Sequence, residues 1–244
     1  KEGKVIISFC GLEETEMEFY VDIADLESIK KVAEYYPIDG FTTNPKILTK
    51  EAGKVEELIP QYRKFAEEND VKVFFQVTAE KAEDMLDQAK KLKGYYGEYL
   101  VVKLPAVKEG YKAVRLCKAE GICVCVTVVH SMTQALLAAK AGADFVAPYI
   151  SHIDNIGADG VTAVEEMVMA FENGGYPCKV LGASFRTADQ IRRLATVGCQ
   201  AVTITPEMFD LLIAHASTDA SMEGFRKAWK ETFGEKQVSD FIPE

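Results

Sequence analysis

The chain has 244 residues, a length that at roughly 150 residues per domain fits either two small domains or one large α/β barrel. With 48% hydrophobic and 27% charged residues it can fill a sizeable core, which excludes the disordered, collagen-like and membrane-spanning classes. A formal charge of −10 argues against a nucleic-acid or anionic-membrane partner, because phosphate backbones are bound through basic surface.

Cys10, Cys117, Cys123, Cys125, Cys178 and Cys199 contain no C-x-x-C pair and read as reduced core residues of a cytoplasmic protein. The longest apolar stretches are strand-length, well short of the roughly 20 residues that span a bilayer, and no signal-peptide pattern opens the chain.

Residues 1–16 come first and hold one apolar run, Val5–Cys10, which reads as an added strand or a plug at a barrel bottom. Eight strand candidates follow: Glu18–Ile23, Gly40–Thr43, Lys72–Val77, Tyr99–Leu104, Cys123–Val128, Phe145–Ile150, Lys179–Phe185 and Ala201–Thr205. Between them lie segments with apolar residues at i, i+3, i+4 spacing and a charged opposite face, among them Leu26–Tyr35, Val55–Glu68, Glu80–Leu92 and Lys108–Glu120. Strand and helix alternating in this way build a parallel sheet. Because Gly-x-Gly-x-x-Gly is absent and the chain is of barrel length, the expectation is a closed (β/α)₈ TIM barrel rather than an open doubly wound sheet. Thr218–Phe233 then places Met222, Phe225, Ala228, Trp229 and Phe233 on one stripe of an extra C-terminal helix, packed on its own barrel or laid on a neighbouring subunit. The expected organisation is an N-terminal extension, residues 1–16, and one barrel domain, residues 17–244, that includes this helix.

Active sites of such barrels sit at the C-terminal ends of the strands. The polar residues that fall there are Asp22, then Thr42, Thr43 and Asn44, then Gln76, Lys103, Thr127, Tyr149, and Ser184 with Arg186 just beyond. Lys103 interrupts the apolar run Tyr-Leu-Val-Val-Lys-Leu-Pro, on the same strand face as Val101 and Tyr99. If that face is the barrel interior, the ammonium is desolvated, its pKa falls, and a neutral amine is available to attack a carbonyl. The competing reading is an inward lysine paired with Asp22 or snorkelling from the strand end. Tyr149, Gln76 and Thr127 are placed to supply proton transfer and hydroxyl binding, or to act only as interior hydrogen-bonding side chains. Ala147 and Gly182, sharing parity with Tyr149 and Ser184, are expected to leave room for a ligand. His130, His152 and His215 show no metal-ligand spacing, so neither a metal nor another cofactor is expected; His130 reads as a helix-start residue. Asn44 in Thr-Thr-Asn-Pro also reads as a helix cap before Pro45.

FYVDIAD, GFTTNP, VVKLP, VTVVHSMTQALLAAKAGADFVAPYI and GASFR occur in an order that resembles the small transaldolase and fructose-6-phosphate aldolase group of class I, Schiff-base-forming enzymes. The likeness runs from about Met17 to the C-terminus. It implies that Lys103 forms the Schiff base, that Asp22 and Asn44 bind hydroxyls of a dihydroxyacetone unit, and that Asp22 assists proton transfer. Gln76 and Tyr149 are similar to the aldolase branch, where transaldolases carry glutamate and phenylalanine; Tyr149 would act as acid/base through a water held by Gln76 and Thr127. Ser184 and Arg186 match positions near the substrate's phosphate end, and Thr42 falls among the substrate-binding residues. His152 stands in Ser-His-Ile-Asp where the family has an arginine. An arginine holds phosphate by a permanent bidentate charge and a histidine does not. The resemblance further implies a ketose of the fructose 6-phosphate type, cleaved at C3–C4 or used as a dihydroxyacetone donor, and a homo-oligomer, a pentamer or decamer. A metal-dependent aldolase or isomerase, and a non-catalytic binding relative, are the competing classes.

Overall fold

A computed structural model describes residues 16–243 of the chain; the expectation for Val5–Cys10 lies outside them. β1 (Glu18–Asp22) leads into α1 (Leu26–Tyr35), which starts where the Asp25 carboxylate accepts the Ser28 N–H at 2.8 Å. β2 (Gly40–Thr42) runs into the short α2 (Pro45–Leu48), capped by Asn44, and then α3 (Val55–Asn69). β3 (Lys72–Gln76), α4 (Ala82–Tyr96), β4 (Leu100–Pro105), α5 (Lys108–Ala119), β5 (Val124–Val129) and α6 (Met132–Ala141) continue the alternation. β6 (Phe145–Pro148) is followed by two helices, α7 (Ile150–Asn155) and α8 (Gly160–Gly174). β7 (Lys179–Gly182), α9 (Ala188–Thr196), β8 (Ala201–Ile204), α10 (Pro206–Ile213) and α11 (Ala216–Phe233) complete the order.

The eight strands are all parallel and close in sequence order, β8 pairing back onto β1 through Glu18↔Ala201 to Val21↔Ile204. The protein is a (β/α)₈ barrel with additional helices. Strand alternation divides the apolar side chains in two. Tyr20, Phe74, Val101, Cys125, Phe145, Ala147, Leu181 and Ala201 fill the barrel interior, and the opposite parity packs with Ile29, Tyr62, Met85, Val114, Val164 and Leu194 of the helices in the outer core. Gly110 shows how tightly these layers meet: a Cβ on this α5 residue would lie 1.9 Å from the Pro105 carbonyl oxygen, at the end of β4.

Several strands stop earlier than their apolar runs, and the reasons bear on the site. β6 ends at Pro148 because Tyr149 opens α7, a six-residue helix too short to show as a period in the sequence. β7 ends at Gly182, whose missing Cβ faces Leu194, Phe185 and Val202 rather than a ligand space, contrary to the parity expectation. Tyr99 belongs to a 3₁₀ turn before β4 rather than to the strand. Leu26–Tyr35 forms the expected helix, and the last long helix begins two residues before Thr218, at Ala216. The described residues make two compact units, divided between Phe209 and Asp210. In the second, the Trp229, Phe233 and Phe241 rings cluster, and the Trp229 indole N–H donates to the Lys236 carbonyl at 2.6 Å. No residue of α11 is buried.

Candidate active site

A cavity of about 280 Å³ lies at the C-terminal ends of the strands, lined on its polar side by Asp22, Asn44, Lys103, Tyr149, Ser184, Thr203 and Thr205. Ala147, Leu181, Ala183, Phe185, Ile204 and Met208 complete its wall.

Lys103 is 4% exposed and shares the inward face of β4 with Val101. Its Nζ donates to the Thr43 carbonyl at 2.9 Å. Burial pulls the amine's pKa below the ordinary lysine value; the opposing pull of Cys125 would need a thiolate, and that of Asp22 a carboxylate. Burial also pushes the Cys125 thiol up to about 12, so at neutral pH it carries no charge. Asp22 is therefore the group able to balance a cation formed on Lys103.

Asp22 ends β1 and has a raised pKa, set by burial and partly offset by Lys103, by the Thr42 hydroxyl and by Lys50. Thr42 Oγ1 donates to Asp22 Oδ1 at 3.0 Å and lies 2.7 Å from Thr203 Oγ1. Thr42 is fully buried, its hydroxyl committed to these two neighbours, and it does not reach the cavity wall. The Asn44 side-chain carbonyl caps α2 by accepting the Ile47 N–H at 3.0 Å, which holds its amide at the cavity. Both readings of Thr-Thr-Asn-Pro, cap and site, thus fall on one residue.

Gln76 sits beside Lys103 in strand register and shares the inward parity of Phe74. Thr127, fully buried, has its Oγ1 3.3 Å from the Tyr149 hydroxyl. Tyr149 has its pKa raised, mainly by burial, with Asp22 adding to the rise and the Thr127 bond opposing it; it stays a neutral phenol. Among the described residues, no three His, Cys, Asp or Glu side chains gather as a metal-holding group.

Two non-glycine residues at the strand ends adopt left-handed backbone, Val128 at φ 61° and Ser184 at φ 62°, an arrangement that costs energy, most of all for a β-branched residue. Val128 is the extra residue of a bulge, where the β5–β6 register shifts between Thr127 and Val129. The bulge keeps Thr127 inward while Val129 packs in the outer core, and brings the His130 ring against Tyr149, 5.6 Å between centroids. Ser184, which simple alternation would turn outward with Gly182, is turned into the cavity by its own left-handed φ. His152 is exposed; it lies edge-on to Tyr149 at 5.2 Å and stacks with His130, with 3.4 Å between His130 Nε2 and His152 Nδ1. Arg186 is exposed too, its backbone N–H donating to the Gln190 side chain at 2.8 Å.

The structure therefore gathers Lys103, Asp22, Asn44, Tyr149 and Ser184 on one cavity. Thr127 stands behind that wall in contact with Tyr149, and Thr42 in contact with Asp22 and Thr203. Gln76, half-buried, is paired in register with Lys103 without lining the cavity, and His152 and Arg186 lie outside it. Residues missed by sequence reasoning are Thr203, Thr205, Phe185 and Met208. Thr203 was signalled only by being a hydroxyl at inward parity in the run Ala-Val-Thr-Ile.

Comparison with known proteins shows the family. Residues 19–241 match the family model described as transaldolase/fructose-6-phosphate aldolase. The chain is 39% identical over 215 residues to a "probable transaldolase" of Kosmotoga olearia, covering 88% of this chain and 97% of that protein. It is 35% identical over 221 residues to "probable transaldolase 2" of Listeria monocytogenes, covering 91% and 99%. Among solved structures it resembles a designed cube-shaped protein cage (TM-score 0.58, 12% identity, 90% of this chain and 79% of that one). It also resembles a mandelate oxidase variant (TM-score 0.53, 16% identity, 86% and 73%), and at these identities the likeness concerns the fold alone. A lysine buried in a barrel cavity beside a carboxylate, in a chain matched along nearly all its length, leads to one assignment: the chain belongs to the transaldolase/fructose-6-phosphate aldolase family and is an enzyme of that class.

Proposed function

We propose that the enzyme is a class I aldolase acting on a ketose of the fructose 6-phosphate type, with Lys103 as the Schiff-base lysine. The observation that carries this reading is the Lys103 amine, 4% exposed, on a cavity shared with Asp22, Asn44 and Tyr149. Desolvation favours the neutral amine, the form that attacks the C2 carbonyl. Loss of water from the carbinolamine gives an iminium, whose nitrogen takes up the electron pair as C3–C4 breaks. The aldehyde leaves, and the enamine is protonated at C3 and hydrolysed to dihydroxyacetone.

Asp22 exchanges protons during imine formation and hydrolysis and, with Asn44, binds substrate hydroxyls. Tyr149, kept neutral by burial, is in the form that protonates the C4 oxygen in condensation. In cleavage the C4 hydroxyl proton passes along the water and the Tyr149 hydroxyl, which takes one proton as it releases its own, and the balance closes with the proton on C3 of the enamine. Gln76 and Thr127 hold the water through which it acts. Ser184, Arg186 and His152 face the far end of the substrate, where an arginine-type phosphate clamp is replaced by histidine.

Transaldolase transfer is the second reading, favoured by the names of the two relatives. It uses the same enamine and differs in whether water or an aldose acceptor meets it first. The test is to supply fructose 6-phosphate and its unphosphorylated analogue, each with and without an aldose acceptor. Dihydroxyacetone released without acceptor is the expected result, and turnover only when acceptor is present would establish transfer instead. In the same assay Tyr149→Phe is expected to lose about 10²-fold or more in cleavage while keeping transfer. Cleavage at the wild-type rate would remove Tyr149 from its role.

A further inference from the structure

The cavity wall contains one buried polar side chain to which the chemistry above gives no part. Thr203, on β8, is 3% exposed and lines the cavity. Its Oγ1 lies 2.7 Å from Thr42 Oγ1, which is 3.0 Å from Asp22 Oδ1. The three residues come from adjacent strands, β1 pairing with β2 on one side and β8 on the other. The β-barrel itself therefore fixes their spacing.

Proton counting sets the direction of these bonds. A hydroxyl has one proton to give, and an ionised carboxylate only accepts. While Asp22 is charged, Thr42 spends its proton on the carboxylate, so Thr203 is the donor of the 2.7 Å contact. When Asp22 is protonated the chain reverses. The carboxyl donates to Thr42, Thr42 turns its proton to Thr203, and the Thr203 proton swings into the cavity. Two hydroxyl rotations connect the states, and the carboxyl proton turns from Thr42 towards the substrate when it is passed on. A lone threonine beside Asp22 would leave one of these states short of a partner, and an unpaired buried polar group is costly.

We propose that Thr203 is a positioning residue which, through Thr42, keeps Asp22 hydrogen-bonded in both protonation states and so lets it pass a proton in each turnover. The inference rests on Lys103 forming the Schiff base. In carbinolamine dehydration, the C2 hydroxyl takes the Asp22 proton and leaves as water, the nitrogen lone pair forms the C=N bond, and Asp22 becomes the carboxylate. In hydrolysis, water adds to C2 and its proton returns to Asp22, with the hydroxyl chain turning back each time.

Thr203→Val removes the hydroxyl at nearly constant volume, and Thr203→Ser restores it. The expected result for Thr203→Val is a kcat lowered about 3- to 10-fold with KM changed by less than about twofold. The acid limb of its pH–rate profile should move to higher pH, because the carboxylate loses part of the polarised chain that favours its charged form. Thr203→Ser should recover both readings, and Thr203→Ala carries the same test as valine if the latter does not fold. Wild-type kcat and pH profile in the valine or alanine variant would overturn the proposal, as would a serine variant as impaired as the valine one. Borohydride with dihydroxyacetone on the wild-type enzyme separates the two levels. No adduct would overturn the lysine chemistry beneath the proposal, whereas an adduct with an unaltered Thr203→Val enzyme would overturn the relay alone.

Discussion

At the scale of single residues, the cavity sets chemistry against stability. Lys103 is held where its charged form is disfavoured: the unfolded chain keeps this proton up to the ordinary lysine range near pH 10.4, whereas the folded protein releases it at lower pH. Stability on account of Lys103 therefore rises with pH between the folded and unfolded pKa values, and is lowest below that window. Replacing Lys103 with methionine removes both the penalty and the proposed nucleophile. Lys103→Met is expected to raise Tm by roughly 2–6 °C at neutral pH, to flatten the alkaline rise in stability, and to lose all turnover. Thermal melts across pH check this, and a lower Tm would mean that Lys103 is stabilised where it lies. Most of the polar cavity residues were legible in the sequence because each is a polar interruption at a strand end. Thr203 was not, since a threonine in a β-branched strand also reads as ordinary strand composition, and only the contact with Thr42 gives it a role.

At the scale of elements, the alternation of strand and helix was readable because its period is carried by many residues at once. What escaped the sequence are the places where backbone departs from that period. The bulge at Val128 and the left-handed turn at Ser184 each reverse the side that simple alternation assigns, and no composition marks them, valine being among the least suited residues for such a backbone. They occur at the ends of β5 and β7, where the cavity opens. Helix α5 provides a contrast between propensity and packing. Alanine is favoured over glycine in a helix by about 1 kcal/mol, yet at Gly110 its Cβ would meet the Pro105 carbonyl oxygen at 1.9 Å, two residues along the strand from Lys103. Gly110→Ala is therefore expected to destabilise by about 2–3 kcal/mol and to reduce activity by shifting β4. Urea unfolding measures the first and steady-state rates the second; a stability gain near the propensity value would show that α5 is free to move.

At the scale of the whole molecule, a chain with a net charge of −10 builds its candidate centre around one buried amine, with Asp22 as the neighbouring counter-charge. The C-terminal unit has exposed apolar side chains at Phe225 (68%), Val238 (67%) and Ile242 (70%), which are available to an interface between copies of the chain. The stripe of α11 was evident from its spacing, whereas whether it packs on its own barrel or on a neighbouring subunit is not carried by that spacing. Sedimentation at micromolar concentration is expected to show a homo-oligomer, and a monomer would refute that expectation. None of these properties bears on the chemistry as directly as the bond proposed to form at Lys103. Borohydride reduction in the presence of dihydroxyacetone, followed by peptide mass analysis, should place a single covalent adduct on Lys103 and none in Lys103→Met. An active enzyme that yields no adduct, or one whose adduct falls on another lysine, would contradict the Schiff-base assignment.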